Sequence, residues 1–279
     1  MGYNSNLFLL MPKVIWDVDA LVFIANHEAN TGVSMGAVQK IAINNLYKRL
    51  KGIGTTNGSN LLSMAVTNGA RLFPLCPTDN STANALAYEL DMVSNGVDKG
   101  TYNNFVSGDF TPQGATGGAT KWFNTGKNAN QFSLTNVSHY VYSRTNSNPG
   151  ASVEFGTNSR TYLFIRSGNL AQIRINDLTT NTIANTDSQS FFGVSRNGTS
   201  KYFIKRTTKT SIGTVATAAS SQNIAFHAYV SGVTPAAESS RQLAFYIVGL
   251  SDLTQNEIDD LYYCVQQYQT EVITGGRQV

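Results

Sequence analysis

The sequence predicts a mainly β protein: a two-sheet sandwich with a short N-terminal helical lead-in and a C-terminal strap helix. Three observations point there. Polarity comes from Asn, Thr, Ser and Gly, while charged residues make up only 13% of the chain, about half the usual share. Many turns demand Gly and Asn, so this composition suits an all-β body. From about Arg71 onward the apolar pattern has the period of two that marks strands. The chain then ends in a strand and a helix whose boundaries are both signalled locally.

That ending organises the rest. Leu243, Phe245 and Ile247 alternate with Ala244, Tyr246 and Val248; both sets are apolar, as in a strand covered on both faces. Gly249 is expected to stop it. Thr254 is the expected N-cap of the following helix, and Glu257 completes a capping box. Leu253 and Ile258 form the matching hydrophobic staple. Ile258, Leu261, Tyr262, Val265, Tyr268 and Val272 recur at helical spacing and make one apolar stripe.

From the beginning, residues 1 to about 15 read as an apolar arm, including Leu7, Phe8, Leu9, Leu10, Val14 and Ile15. Asp17 begins a short helix carrying Ala20, Leu21, Phe23 and Ile24. Residues 30–34 form a loop. A second helix is expected over 35–51, with Val38, Ile41, Ala42, Leu46 and Leu50 on one face and Gly52 and Gly54 beyond its end. A third, short helix falls at 60–66. Three short helices bury little alone, so they must pack on the sandwich or on another subunit. The expected organisation is therefore 1–70 as arm and docking helices, and 71–279 as sandwich plus strap helix.

Within the sandwich, strands are expected over 85–92, with Leu86, Tyr88, Leu90 and Met92 on one side, over 138–145, and over 224–230. Residues 162–167 and 171–177 flank a Gly168-Asn169 turn. Asn197-Gly198 is the strongest hairpin signal; closed at Arg196 and Thr199, it sets Phe192 opposite Phe203, Phe191 opposite Ile204 and Tyr202 opposite Gly193. Apolar residues on both faces of this hairpin suggest burial beyond a single sheet face. On the order of a dozen strands suits a two-sheet jelly roll. Residues 111–118 and 146–150 read as loops.

The final strand, the segment GLSDLTQNEIDDLYYCVQQYQTEV and the GRQV tail together resemble the end of β-sandwich structural proteins of tailed bacteriophages, especially those of gut Bacteroidales. The stretches DVDALVFI…AINNLYKRLKGIG, from Asp17, and RLFPLCPTDNSTANALAYEL, from Arg71, resemble the helical lead-in and first strands of the same group. The resemblance implies a concanavalin A-like (LamG-like) jelly roll and a place in a virion. Its motifs are architectural, so it speaks for fold and setting rather than chemistry.

Candidate chemistry is sparse. Asp17-Val18-Asp19 has the D-x-D form used with metals and phosphates, but acids at a helix start also suit the helix dipole. Glu89 and Asp91, two apart on an expected strand, would share a face as a glycosidase pair does. Glycosidases of the concanavalin-like fold continue that pattern with a third acid; Val93 stands there instead, and a solvent-facing acidic pair is the simpler reading. His27, His139 and His227 are scattered, and no G-x-S-x-G elbow is present. Gly114, Gly117, Gly118 and Lys121 lack phosphate-loop spacing and read as a flexible loop. Lys201, Lys205, Arg206 and Lys209 form a basic patch, read as a solvated edge. Cys76 and Cys264 have no redox or metal spacing; buried free thiols are expected, with a bridge as the alternative. No catalytic residue, metal or cofactor is expected.

No run reaches membrane-spanning length, Leu7–Leu10 lacks the flanks of a signal peptide, and a net charge of +3 is too small to imply nucleic acid. The expectation is a non-enzymatic virion protein: a fibre, decoration or appendage subunit, with other virion proteins as partners. Leu7, Phe8, Leu9, Leu10, Phe191 and Tyr202 are the candidate assembly residues of a homo-oligomer, with a trimer favoured by analogy to phage fibres. The second reading is a lectin-like module for host-surface glycans, with Trp122, Tyr140, Tyr142 and Asn146 as candidate contacts. A polysaccharide-degrading enzyme built on Glu89 and Asp91 is the third.

Overall fold

The computed structural model describes residues 14–78, 85–157, 160–214, 220–231 and 234–277. The arm residues Leu7, Phe8, Leu9 and Leu10 lie outside them. Three helices come first: α1 (Val18–Thr31), α2 (Ala37–Leu50) and α3 (Leu61–Asn68). They are followed by β1 (Arg71–Phe73), α4 (Ala85–Glu89), β2 (Thr101–Asn103), β3 (Phe110–Thr111), β4 (Gly114–Thr116), β5 (Trp122–Asn128), β6 (Asn136–Ser143) and β7 (Phe155–Thr157). The chain continues with β8 (Tyr162–Ser167), β9 (Leu170–Arg174), β10 (Asn181–Ala184), β11 (Ser190–Asn197), β12 (Ser200–Lys205) and β13 (Thr208–Thr214). It closes with β14 (Asn223–Phe226), β15 (Tyr229–Ser231), β16 (Thr234–Ala236), β17 (Gln242–Leu250) and α5 (Gln255–Glu271).

Among the described residues the strands form two sheets. The first, of eight strands, runs β13-β12-β11-β6-β17-β4-β3, with β1 also on β17. The second, of nine, runs β10-β9-β8-β7-β14-β5-β2, with β15 and β16 beside β7. Among the described residues every pairing between these strands is antiparallel except β15 with β7. The molecule is thus a β-sandwich with a helical lead-in and a C-terminal helix.

The layers explain the doubly apolar strands. One core lies between the sheets and holds Phe73, Phe123, Val141, Phe192, Phe226, Tyr246 and Val248. The other lies between the outer face of the eight-stranded sheet and the helices; it holds Tyr140, Phe191, Phe245 and Ile247 from the sheet, with Phe23, Leu46, Leu261, Val265 and Tyr268 from the helices. Strand β17 serves both. Strict alternation predicted Leu243, Phe245 and Ile247 on one side, but the register shifts between Leu243 and Phe245. That bulge puts Leu243 with Tyr246 and Val248, and Ala244 with Phe245 and Ile247.

This arrangement corrects the assembly residues. Phe191 is fully buried beneath α5, its ring 5.4 Å from Tyr140 and 6.2 Å from Tyr262. Tyr202 packs on the same core, with the Lys209 ammonium 4.4 Å above its ring. Helices of the same chain cover the second apolar face, so that face gives no reason to invoke another subunit.

The C-terminal signals are realised as read. Thr254 Oγ1 accepts from the Glu257 backbone N–H, and the Glu257 carboxylate accepts from Thr254 N at 2.7 Å. The staple pair Leu253 and Ile258 is fully buried. Gly249 does not end β17, which runs on to Leu250. Glycine is needed there for another reason: at φ +83 a Cβ would stand inside the ring of Phe132. The tail docks too: the Arg277 guanidinium donates to the carbonyls of Pro74, Leu75, Pro112 and Ala244 at 3.0–3.3 Å.

Other elements differ from the sequence reading. Residues 85–89 are a short helix rather than a strand. Helix α2 turns Val38 and Ile41 outward and buries Gln39, Ile43, Asn44 and Tyr47, because its cover is α5 on one side and α1 on another. The expected strand 224–230 breaks at His227, whose φ of +65 ends β14 before β15 begins. The expected loop 111–118 contains the β3–β4 hairpin. In the β11–β12 hairpin the turn is Gly198-Thr199, closed by Asn197 and Ser200. Gly198 takes the first central position at φ +59, the place a type II′ turn reserves for glycine. Phe192 therefore faces Lys205 and Val194 faces Phe203, two residues away from the expected register.

Candidate functional site

The acidic motifs are structural. Asp17 caps α1 by accepting from Asp19 N at 3.0 Å, and Lys51 Nζ sits 2.7 Å from both Asp17 and Asp19. Glu89 and Asp91 are neither on one strand nor facing solvent. Glu89 ends α4, 8% exposed, and accepts from Tyr102 N at 3.0 Å. Asp91, 1% exposed, accepts from Leu72 N at 2.9 Å and Val93 N at 3.1 Å. Both carboxylates hold backbone in place and are closed to a substrate.

Burial pushes the Asp91 carboxyl up from 3.8 to about 6. The folded state holds the proton more tightly than the unfolded chain, so stability is full below about pH 4 and falls as pH rises through about 6. A rise of that size corresponds to roughly 3 kcal/mol at neutral pH. Asp91→Asn keeps an oxygen for Leu72 and Val93 and removes the charge. It should raise the urea midpoint at pH 7 and flatten the stability profile between about pH 4 and 6. A profile unchanged from the parent's would refute this assignment.

The histidines are buried and structural. His27 Nε2 lies 3.2 Å from Cys76 O, His139 Nδ1 accepts from Gly249 N at 3.1 Å, and His227 Nε2 lies 2.6 Å from the Tyr246 hydroxyl. Burial lowers His139 and His227 to about 3. Among the described residues no three His, Cys, Asp or Glu side chains gather to hold a metal. Cys76 and Cys264 are buried free thiols.

The glycine stretch is not a flexible loop. A Cβ at Gly114 would strike the Leu243 carbonyl, and one at Gly117 would strike Ser239 O and the His227 ring. Lys121 pairs with Asp109 at 2.5 Å. The basic patch is also dispersed. Lys201 is fully buried, 2.5 Å from Asp177, because β13 pairs beyond β12 and removes the edge. Lys209 binds Asp252 and Leu253 O.

Of the four candidate glycan contacts, Tyr140 and Tyr142 are fully buried under α5, where the Tyr142 hydroxyl donates to Gln266 Oε1 at 2.8 Å. They alternate on the face of β6 that turned out to be the second core. Asn146 is exposed on the 144–150 loop and accepts from Arg166 Nη1 at 3.1 Å. Trp122 is half-buried and lines a surface cleft of about 500 Å³; none of the other three reaches it.

Strand alternation builds that cleft. Phe123 and Thr125 on β5 point into the sandwich, so Trp122 and Asn124 point out. Asn103 on β2 stands opposite Trp122, and Asn223 on β14 stands opposite Asn128. The Asn223 amide donates to Asn124 Oδ1 at 2.9 Å, and Asn103 Nδ2 donates to Trp122 O at 3.4 Å. These bonds orient the amides from strand to strand. The side chain of Gln222 and the side-chain Oδ1 of Asn223 make no hydrogen bond to protein among the described residues. The described lining carries no ionisable group. Sequence reasoning singled out Trp122 but missed the five amides around it. Their signal is the outward positions of β2 and β5, for which no strand is expected from the sequence, and the two residues just before the expected strand 224–230.

No family model matches the chain, and no curated protein does. Solved structures do match its fold. A mutant of Trypanosoma rangeli sialidase displaying trans-sialidase activity is similar at 13% identity with a TM-score of 0.50, covering 82% of this chain and 39% of its own. Trypanosoma rangeli sialidase in complex with sialic acid gives 10% identity and 0.49, covering 69% of this chain and 32% of its own. Ruminococcus gnavus IT-sialidase CBM40 bound to alpha2,3 sialyllactose gives 11% and 0.42, covering 53% of this chain and 94% of its own. The chain thus spans between 32% and 39% of the length of these sialidases. At such identities the likeness speaks for the jelly-roll sandwich fold alone. It carries neither an activity nor a phage origin to this chain.

Proposed function

We propose that this chain is a non-enzymatic glycan-binding jelly-roll module, displayed on a tailed-phage virion as a fibre, decoration or appendage subunit. The observation that supports binding is the Trp122 cleft. An indole face offers an apolar platform for the C–H face of a sugar ring. Flanking amides are both donors and acceptors and match ring hydroxyls. A concave site with an aromatic wall and a few oriented polar groups is the usual form of a small-ligand site. The cleft lacks the paired carboxylates that glycosidic cleavage uses, and Glu89 and Asp91 are occupied by backbone N–H groups elsewhere. The ligand is therefore read as a neutral saccharide that is held and not cut. The virion setting rests on the resemblance of the helical lead-in and the C-terminal segment.

Full-length protein on a glycan array should bind neutral saccharides, and Trp122→Ala should weaken that binding about tenfold or more while leaving the melting temperature nearly unchanged. An array blank for every neutral glycan would overturn the reading of this cleft, and one blank for every glycan would leave only the structural role. Release of reducing ends from a bound polysaccharide would make the protein an enzyme.

A further inference from the structure

A second groove lies where the outer strands of the two sheets meet, between β10 of one and β13 of the other. It holds about 430 Å³ and is lined by Asn185, Phe203, Lys205, Arg206, Thr208 and Thr210, with Ile183 at one side. Its cations stand out because the other members of the basic patch are spent on buried or paired contacts. Lys205 Nζ is held 3.0 Å from Asn185 Oδ1 and 3.4 Å from Asp187. Asp187 also accepts from Gln189 N at 2.9 Å. Arg206 has no carboxylate within ion-pair distance among the described residues. Its Nε donates to Ser190 Oγ at 3.1 Å, which uses one of five donors and fixes the guanidinium beside the groove.

The backbone at Arg206 strengthens the case. Arg206-Thr207 is the two-residue turn of the β12–β13 hairpin, closed by Lys205 and Thr208. The preceding hairpin has the same plan: Gly198-Thr199, closed by Asn197 and Ser200. The first turn residue is left-handed in both, at φ +59 for Gly198 and φ +56 for Arg206. The first turn uses the residue that this conformation favours; the second places an arginine in it. Strain of this kind collects where a side chain has a task. A bond to Ser190 is a small return for an arginine where glycine fits better.

We propose that this groove binds the anionic group of a charged saccharide, a carboxylate or a sulfate ester, through Arg206 and Lys205. The threonine hydroxyls and the half-buried Ile183 would receive the sugar ring. The inference takes the saccharide from the glycan-binding reading, but the charge recognition is independent of Trp122.

The test is calorimetric titration of full-length protein with three oligosaccharides of equal length: uronate-bearing, sulfated and neutral. At least one charged probe should bind, with affinity falling as salt rises; which one binds identifies the anion. Arg206→Gly should lose at least tenfold in that affinity while its melting temperature holds or rises. Trp122→Ala should leave the charged probe's affinity intact, which separates this groove from the first cleft. The proposal is overturned if neither charged probe binds, if binding ignores salt, if Arg206→Gly binds like the parent, or if Arg206→Gly melts several degrees lower and the arginine is therefore structural.

Discussion

Replacing Arg241 with methionine should cost the protein about 3–5 kcal/mol, a large part of the 5–15 kcal/mol typical of a domain. Arg241 and Glu154 are both fully buried and ion-paired to each other. Arg241 enters β17 in one sheet, and Glu154 enters β7 in the other. Both partners make further hydrogen bonds, although Arg241 Nε is buried without a partner among the described residues. Glu154 also accepts from Ile165 N at 2.6 Å and Ser239 Oγ at 3.1 Å, while Arg241 donates to Ser147 O and Arg166 O, each at 3.0 Å. Removing the cation leaves a carboxylate in the interior without its counter-charge, and that penalty outweighs the modest net value of the pair itself. A double variant, Arg241→Met with Glu154→Leu, should therefore recover much of the loss. Urea midpoints of the parent, single and double variants are the check. A single variant within about 1 kcal/mol of the parent would mean that water reaches the pair.

Ending the chain at Ser251 should give insoluble or molten protein. Helix α5 and its C-cap bury Ile258, Leu261, Val265, Tyr268 and Val272 completely. At roughly 1.5–3 kcal/mol for each large apolar side chain, their loss matches the whole stability of an ordinary domain. The truncation would also uncover Tyr140, Phe191, Phe245 and Ile247 on the sheet, an exposed apolar surface that invites aggregation. A soluble truncated protein that melts cooperatively would show the helix to be an accessory.

The sequence was most legible where local chemistry decides structure. The capping box at Thr254 and Glu257, the staple at Leu253 and Ile258, and the Gly168-Asn169 turn all depend on near neighbours, and all appear as read. It was least legible where a distant partner decides. Tyr140 and Tyr142 alternate as exposed aromatics would, but the face they occupy is roofed by a helix more than a hundred residues away. Lys201 looked like an edge lysine, yet Asp177 reaches it across the fold. Residues 85–92 carry a strand pattern and begin as a helix because Glu89 and Asp91 are claimed by the backbones of Tyr102 and Leu72. The Trp122 cleft was half legible. The indole is an evident candidate, but the amides come from three strands whose pairing no single segment encodes.

If the Trp122 cleft holds a neutral saccharide, as proposed, the indole itself reports the binding. The chain contains two tryptophans, Trp16 and Trp122, so an amide-correlation NMR spectrum has two indole N–H signals, and the Trp122→Phe variant assigns them. Titration with a neutral oligosaccharide identified on the array should shift the Trp122 indole signal saturably and leave that of Trp16 in place. A Trp122 signal that stays fixed while the saccharide demonstrably binds would contradict the account and put the glycan site elsewhere on the molecule.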